Sequence, residues 1–448
     1  MTERPLLERW FPSGTRLGFP VMAGALPGLG HTLSVYLDVV GALRRARAEL
    51  GPIFWLNLGL NKWYLFCTGK GSFELLKHPA VVNAGSRTSL IYLLGKSLLT
   101  IDGAEHRRIR STMNPSFLPR GMMENGSGAI IADVVQQRIQ HWVKNPLKIH
   151  DETREIALDV VFRLTGVGQQ DLTDWRRQYG ELLLGLLPPP WDLPFSPRRR
   201  ALKAATWINS RITNLVESAR IDSTGVSMTH TLARARDEEG KPLSTEELVD
   251  NIRLLFLAGH ETTASTTAWA ILELATRPDQ WEKLIAETAD RKPIPATMAE
   301  AREFPFCEAV FRESVRMYGP AWFIERRTTE DLEHEGRPIP AGSIIALPPS
   351  VWSRDETLYP EPDTFNPDRW LSRPAPTPVE MSQFGGGAHF CLGYHLAWLE
   401  AVTLLVALGK EMGTRGLRPR LLSKDPLIQR YLPLPHPPSS ARVSFEKP

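Results

Sequence analysis

Phe384-Gly385-Gly386-Gly387-Ala388-His389-Phe390-Cys391-Leu392-Gly393 is the least ordinary run in this chain. Three successive glycines mean that the backbone takes φ values other residues avoid, or comes close to a neighbour. A cysteine follows, then Leu392-Gly393 and a strongly helical stretch. A sulfur at a helix N-terminus is stabilised as thiolate by the free N–H groups and the dipole. Such an anion can ligate a metal or attack an electrophile. A lone cysteine is more often a small buried hydrophobe, so the loop must be weighed against the rest of the chain.

The 448 residues hold only three cysteines, Cys67, Cys307 and Cys391, none in a Cys-x-x-Cys spacing. That argues against a disulfide framework and for a reducing, cytoplasmic setting. The eleven histidines include no i,i+3 or i,i+4 pair, and a structural zinc site would need more cysteines near one another. One thiolate with few other soft ligands suits the fifth ligand of a haem iron. Lys+Arg 53 against Asp+Glu 50 is too balanced for a nucleic-acid partner, which would need a strong basic excess or stripe. Phe19 to Leu43 is fairly apolar, but Pro20, Pro27, His31 and Asp38 interrupt it. Neither a membrane anchor nor a signal peptide is expected there.

No internal repeat or low-complexity linker divides the chain, so residues 1–448 read as a single domain. Helical patterns dominate: Thr32–Glu49, His106–Phe117, Ala129–Trp142, Asp151–Thr165, Leu172–Leu187, Arg199–Arg220, Thr245–Thr276, Phe304–Tyr318 and Leu392–Glu411. Strand patterns are fewer, at Ile53–Leu58, Trp63–Phe66, Arg326–Glu333, Ile344–Leu347 and parts of the Pro-rich tail. The expectation is a mainly α protein with a minor β-sheet region.

The segment from Ser244 is the most legible helix. Ser244 and Glu247 form a capping-box pattern, and the apolar run stops before Arg277-Pro278. Its middle, Ala258-Gly259-His260-Glu261-Thr262-Thr263, sets a glycine and two β-branched residues where a helix least favours them. A local rule broken inside a strong helix points to function or to close packing.

The loop's Phe384, Gly385, Gly387, His389, Cys391 and Gly393 resemble the haem-binding loop of the cytochrome P450 family, with histidine where arginine is more usual. Three further segments stand in that family's order. Residues 258–263 resemble its acid–alcohol pair on the long central helix, Glu313-Ser-Val-Arg316 its Glu-x-x-Arg helix, and Phe365-Asn-Pro-Asp-Arg369-Trp370 its meander arginine. Two other Glu-x-x-Arg copies, Glu105–Arg108 and Glu217–Arg220, read as surface i,i+3 pairs. Asp102 to Arg110 resembles the family's third helix. The resemblance runs from Leu26-Pro27-Gly28 to the Pro-rich tail.

That resemblance implies the cytochrome P450 fold, a triangular prism with the long helix (about 245–276) over the haem. It implies haem b with the Cys391 thiolate as axial iron ligand in the loop 384–393. His106, Arg110, Arg326, Phe384, Gly387, His389 and Gly393 would hold the cofactor, with the register to Asp331 favouring Arg326 over Arg327. Glu313, Arg316 and Arg369 would form a structural Glu–Arg–Arg interaction. Glu261 would bring protons and Thr262 would hold the oxygen-derived ligand and a water. The implied reaction inserts one atom of O₂ into a small apolar substrate by hydroxylation or epoxidation. A fatty acid, terpenoid, steroid or polyketide would fit. Substrate contacts are expected from Leu90, Tyr92 and Leu94, from Phe256 and Ala258, from Ala321 and Phe323, and from Leu432; Leu182–Leu187 with Pro188–Pro190 reads as an apolar lid or as core. The chain ends 57 residues after Cys391, so no fused reductase is expected, and electrons would come from a separate ferredoxin or flavodoxin with its NAD(P)H reductase. The competing readings are a peroxide-using peroxygenase, which commonly lacks the acid–threonine pair, and a non-catalytic haem sensor. Nucleotide binding fails, since Leu90 and Leu33 stand where the phosphate-loop and dinucleotide motifs need glycine.

Overall fold

A computed structural model of the chain describes residues 14–59, 61–83, 93–143, 145–186, 193–289, 293–423, 426–431 and 434–448. It is mainly helical with small sheets. The chain divides into two compact units, neither of them one continuous stretch: residues 1–86, 319–364 and 374–391 in the first, and 87–318, 365–373 and 392–448 in the second.

The first unit is built on a five-stranded sheet in the order Ile53–Asn57, Trp63–Cys67, Ile344–Leu347, Ile324–Thr328, Val81–Asn83. Pairing is antiparallel except between Trp63–Cys67 and Ile344–Leu347. Ile53, Trp55, Leu65, Ile345 and Leu347 bury together with Phe73, Leu76 and Trp352. The strand expected over Arg326–Glu333 is in fact two. The first ends at Thr328, whose hydroxyl donates to the Pro340 carbonyl at 2.8 Å. The second, Leu332–His334, forms a separate hairpin with Arg337–Ile339, turning through Glu335 and Gly336, both at positive φ. Likewise the helix expected over Thr32–Glu49 breaks at Asp38. Its carboxylate turns back to accept from the Gly41 N–H at 2.9 Å and starts the helix Val39–Leu50 afresh.

In the second unit the helix Thr245–Ala275 packs against Ile149–Leu164, Pro197–Ile221, Pro305–Tyr318 and Tyr394–Thr414. At about 46 Å long it is apolar on nearly every side because it is enclosed on nearly every side. The Ser244–Glu247 capping box is present in both directions. Ser196 caps Pro197–Ile221 through the Arg199 N–H, so Arg198-Arg199-Arg200 opens that helix. Helices Pro278–Thr288 and Met228–Arg234 were not expected. The first starts on the proline read only as the end of its predecessor. No helix among the described residues is long and apolar enough to cross a membrane.

Candidate functional site

The glycines of the loop are used for close approach as much as for turning. Gly385 and Gly387 sit at φ 79° and 60°, a region that side chains disfavour. A Cβ on Gly387 would stand 2.2 Å from the Leu76 carbonyl oxygen, and one on Gly386 would meet Phe73 and Leu76. The loop therefore lies directly on the segment Lys70–Lys77, and its closure is fixed by the Cys391 N–H donating to Phe384 O at 2.8 Å. Of the three cysteines only Cys391 is accessible. Burial drives the thiols of Cys67 and Cys307 up, with the charges of Glu335 and Glu287 adding to it. Both are inert packing groups.

The same unit holds Arg326 and His389. The pleat of Ile324–Thr328 turns Arg326 inward, at 3% exposure, and Arg327 outward. Arg326 pairs across the sheet with Asn83, and the Asn83 amide lies 3.3 Å from His389 Nε2. Asn83 escaped the sequence reading because a single polar residue at the end of a three-residue strand has no pattern of its own. Ala321 and Phe323 lie just before this strand, with Phe323 in ring contact with Tyr64, Phe66 and Trp322.

In the second unit Glu313, Arg316 and Arg369 meet in one buried network. Arg316 holds both oxygens of Glu313 at 2.8 Å. Arg369 Nε and the Asn366 N–H donate to Oε1 at 3.0 and 2.9 Å, and Trp370 Nε1 donates to Oε2 at 2.8 Å. Burial alone would raise the Glu313 carboxyl. The Arg316 hydrogen bond and charge, with Asn366 and Arg369 behind them, outweigh it and hold the group below its ordinary value. The other two Glu-x-x-Arg copies are not internal pairs. Arg108 reaches Glu247 and Asp237, and Arg220 reaches Thr245 and the Leu243 carbonyl.

The long helix, buried from Leu248 to Leu254 and from Thr263 to Leu274, opens in its middle: Ala258 is exposed and Gly259, Glu261 and Thr262 are partly so. Among the described residues a Cβ on Gly259 would touch only Val161, at 3.6 Å, so there glycine leaves room rather than avoiding a clash. The Thr262 hydroxyl donates to the Ala258 carbonyl one turn back. Glu261 is clamped by Arg154 of the neighbouring helix, Nε at 2.9 Å and Nη2 at 2.7 Å from Oε1. His260 Nδ1 lies 3.6 Å from Oε1 and His150 Nε2 lies 4.0 Å from Oε2. His150 also stacks on His436, centroids 5.3 Å apart. Desolvation, then neighbouring charge, pushes His150 and His260 down to about 3. Arg154 and His150, with His436 stacked on His150, lie far from Glu261 in sequence and carry no motif, so only the fold shows them together.

His106 and Arg110 share the helix Gly103–Met113, His106 buried and Arg110 partly accessible. Phe256, expected at the substrate, is fully enclosed edge-on by Phe162 and Trp175, and Leu94 is equally enclosed. Both are core. Leu90, Tyr92, Leu432, Leu187 and Pro188–Pro190 lie outside the described residues.

A haem-thiolate centre requires an accessible sulfur, donors for two propionates and a gap of small residues where oxygen sits. Cys391, the cationic or imidazole groups of Arg326, His389, His106 and Arg110, and the Ala258–Gly259–Thr262 opening are of those kinds. The residues present fit the group.

The family model described as Cytochrome P450 matches residues 20–408. "Cytochrome P450 BJ-4 homolog" of Sinorhizobium fredii is 38% identical over 432 residues, covering 96% of this chain and 97% of the relative. "Cyclooctat-9-en-7-ol 5-monooxygenase" of Streptomyces melanosporofaciens is 28% identical, covering 88% of each chain. The solved structure of retinoic acid-bound cyanobacterial CYP120A1 matches with a TM-score of 0.82 at 25% identity, covering 94% of this chain and 97% of that one. The chain belongs to the cytochrome P450 family, haem-thiolate oxidoreductases that incorporate oxygen from O₂ into an organic substrate.

Proposed function

We propose that this enzyme oxygenates an apolar hydrocarbon skeleton bearing one oxygenated group, with Cys391 as the iron ligand and Glu261–Thr262 as the proton relay. The observation that carries the reading is the opening at Ala258–Gly259–Thr262 in a helix otherwise enclosed, with a carboxylate beside it. Haem held at this site with Cys391 as its ligand would supply the activation of O₂ from which one oxygen atom is inserted, and a thiolate ligand suits that chemistry.

The chain's own residues set the conditions for that chemistry. Arg326 and His389 in one unit, and His106 and Arg110 in the other, are proposed propionate partners, as point charges or hydrogen-bond donors. Asn83 orients the His389 ring through Nε2. Thr262 already donates to Ala258, so its oxygen is left as an acceptor; rotation of the hydroxyl turns it into a donor toward the opening. Glu261 delivers protons from the side of Arg154, whose clamp on Oε1 fixes the carboxylate in place until the side chain swings away. Glu313 with its two arginines holds the segment Asn366–Trp370 against the helix Pro305–Tyr318.

The substrate class draws support from two names: one relative is named for oxidising an alkenol, and CYP120A1 was solved with retinoic acid. Among fatty acids, terpenoids, steroids and polyketides, these favour the terpenoid class. Ala258, Ala321 and Phe323 are the described residues retained as contacts. Electrons are assigned to a separate ferredoxin or flavodoxin with its NAD(P)H reductase, and the working compartment to the cytoplasm. A screen of Soret shifts across those four classes, followed by turnover with a surrogate ferredoxin system, tests the reading. Tight binding and oxygenation of terpenoid alcohols or acids support it. Turnover confined to another class contradicts it.

A further inference from the structure

The lower half of the long helix carries a group that oxygen insertion does not use. Trp269 is fully buried and stacks on Tyr318, ring centroids 3.9 Å apart and planes within 5°. Tyr318 closes the helix Pro305–Tyr318 and is partly accessible. Its phenol donates to Glu273, a carboxylate of the long helix with 7% side-chain exposure, which is in turn paired with Arg277. Arg277, 31% exposed, also donates to the Thr276 hydroxyl at 2.9 Å. Trp269 stands seven residues beyond Thr262, two helical turns on the same face and about 10 Å along the axis.

We propose that Trp269, Tyr318 and Glu273 form an oxidisable relay that carries a stray oxidising equivalent away from the oxygen-activating face of the long helix. The inference rests on the reading of Thr262 given above. In the step, Tyr318 loses one electron and its phenolic proton. The electron passes through the Trp269 ring and reduces, by one electron, the oxidant that the monooxygenase reaction generates when no substrate consumes it. The proton goes to Glu273, and the product is a neutral tyrosyl radical. An external one-electron reductant such as ascorbate or a thiol restores the phenol, with the proton returning from Glu273.

Three features give the relay its direction. A near-parallel stack at van der Waals distance couples the two π systems. The Trp269 indole N–H is buried with no hydrogen-bond partner among the described residues, so none of them offers a base for its proton and the indole can pass an electron but not hold a neutral radical. Tyr318 has its acceptor already in place, and a buried polar network of this kind needs no rearrangement for the proton to move. Simple packing would explain the stack, but it does not require a carboxylate on the phenol at the accessible end.

The test uses the substrate-free holoenzyme, mixed with hydrogen peroxide, freeze-quenched for electron paramagnetic resonance, and separately spin-trapped and mapped by peptide mass spectrometry. A tyrosyl signal with the trap adduct on Tyr318 is expected in the unaltered protein. Tyr318→Phe abolishes both, and Trp269→Phe and Glu273→Gln diminish them. Peroxide consumption with the adduct elsewhere, or an undiminished signal in Tyr318→Phe, overturns the relay. Adduct mapping on the unaltered protein needs no variant to fold. The spectrum of the reduced, CO-bound form is recorded on the same samples, so a failure of the haem-thiolate reading shows there, separately from a missing radical.

Discussion

Replacing Glu313 by glutamine removes one charge from a fully buried ionic network in the second unit. The carboxylate accepts from Arg316 twice, from Arg369, from the Asn366 N–H and from Trp370 Nε1, with 0% side-chain exposure against 1% for Arg316 and 7% for Arg369. Glutamine keeps the shape and one acceptor oxygen. Its NH₂ group turns donors toward donors on the other side, and two guanidinium charges lose their counter-charge out of reach of water. Breaking a buried pair from one side costs about 3–5 kcal/mol. At roughly 1.4 kcal/mol per tenfold, the folded-to-unfolded ratio drops between about a hundredfold and several thousandfold. Urea titration of the holoprotein at pH 7 reads this as a lower midpoint at unchanged slope. Converting Glu313, Arg316 and Arg369 together to Leu, Met and Leu should recover much of the loss, because the penalty lies in the uncompensated charge. A Glu313→Gln midpoint within about 0.5 kcal/mol of the parent would refute the reasoning.

Thr262→Ala should keep haem and substrate binding while most reducing equivalents emerge as peroxide; product formed per NAD(P)H consumed measures it, and full coupling would remove Thr262 from the relay. Glu400, buried without a cationic partner among the described residues, is pushed by desolvation from 4.5 up to about 8. Between those values the folded chain holds a proton that the unfolded chain has lost, so stability falls as pH rises through the window. Glu400→Gln should therefore raise the melting temperature at pH 8 and leave it little changed at pH 5. His260 has the opposite sign: burial first, then the charges of Arg154 and His150, lower it from 6.5 to about 3. The unfolded chain binds the extra proton there, and stability is lost as pH falls from 6.5. His260→Gln should flatten that limb of the urea-midpoint profile against pH.

The parts of this molecule that were legible in the sequence are those where one element carries its own signal. The capping box at Ser244, the loop around Cys391 and the Glu313–Arg316 turn are each local, and their spacing survives without tertiary context. The strand ending at Thr328 and the helix restarting at Asp38 were misplaced because side chains competing for backbone hydrogen bonds overrode the apolar pattern. Phe256 reads like any apolar residue on the open side of the helix; only its enclosure by Phe162 and Trp175 makes it core. The surroundings of Glu261 and His389 were invisible for a different reason. Arg154 and His150 lie more than a hundred positions from Glu261, and Asn83 some three hundred from His389, so their meeting is a property of topology rather than of spacing.

The central claim is that Cys391 is the thiolate ligand of the haem iron, and the absorption of the reduced, CO-bound protein tests it most directly. The unaltered protein should show the strongly red-shifted Soret band that thiolate ligation produces. Cys391→His should bind haem and lose that shift, whereas Cys67→Ala and Cys307→Ala should keep it. A Cys391→His protein that retains the shifted band, or a Cys67 or Cys307 variant that loses it with haem still bound, would contradict the account.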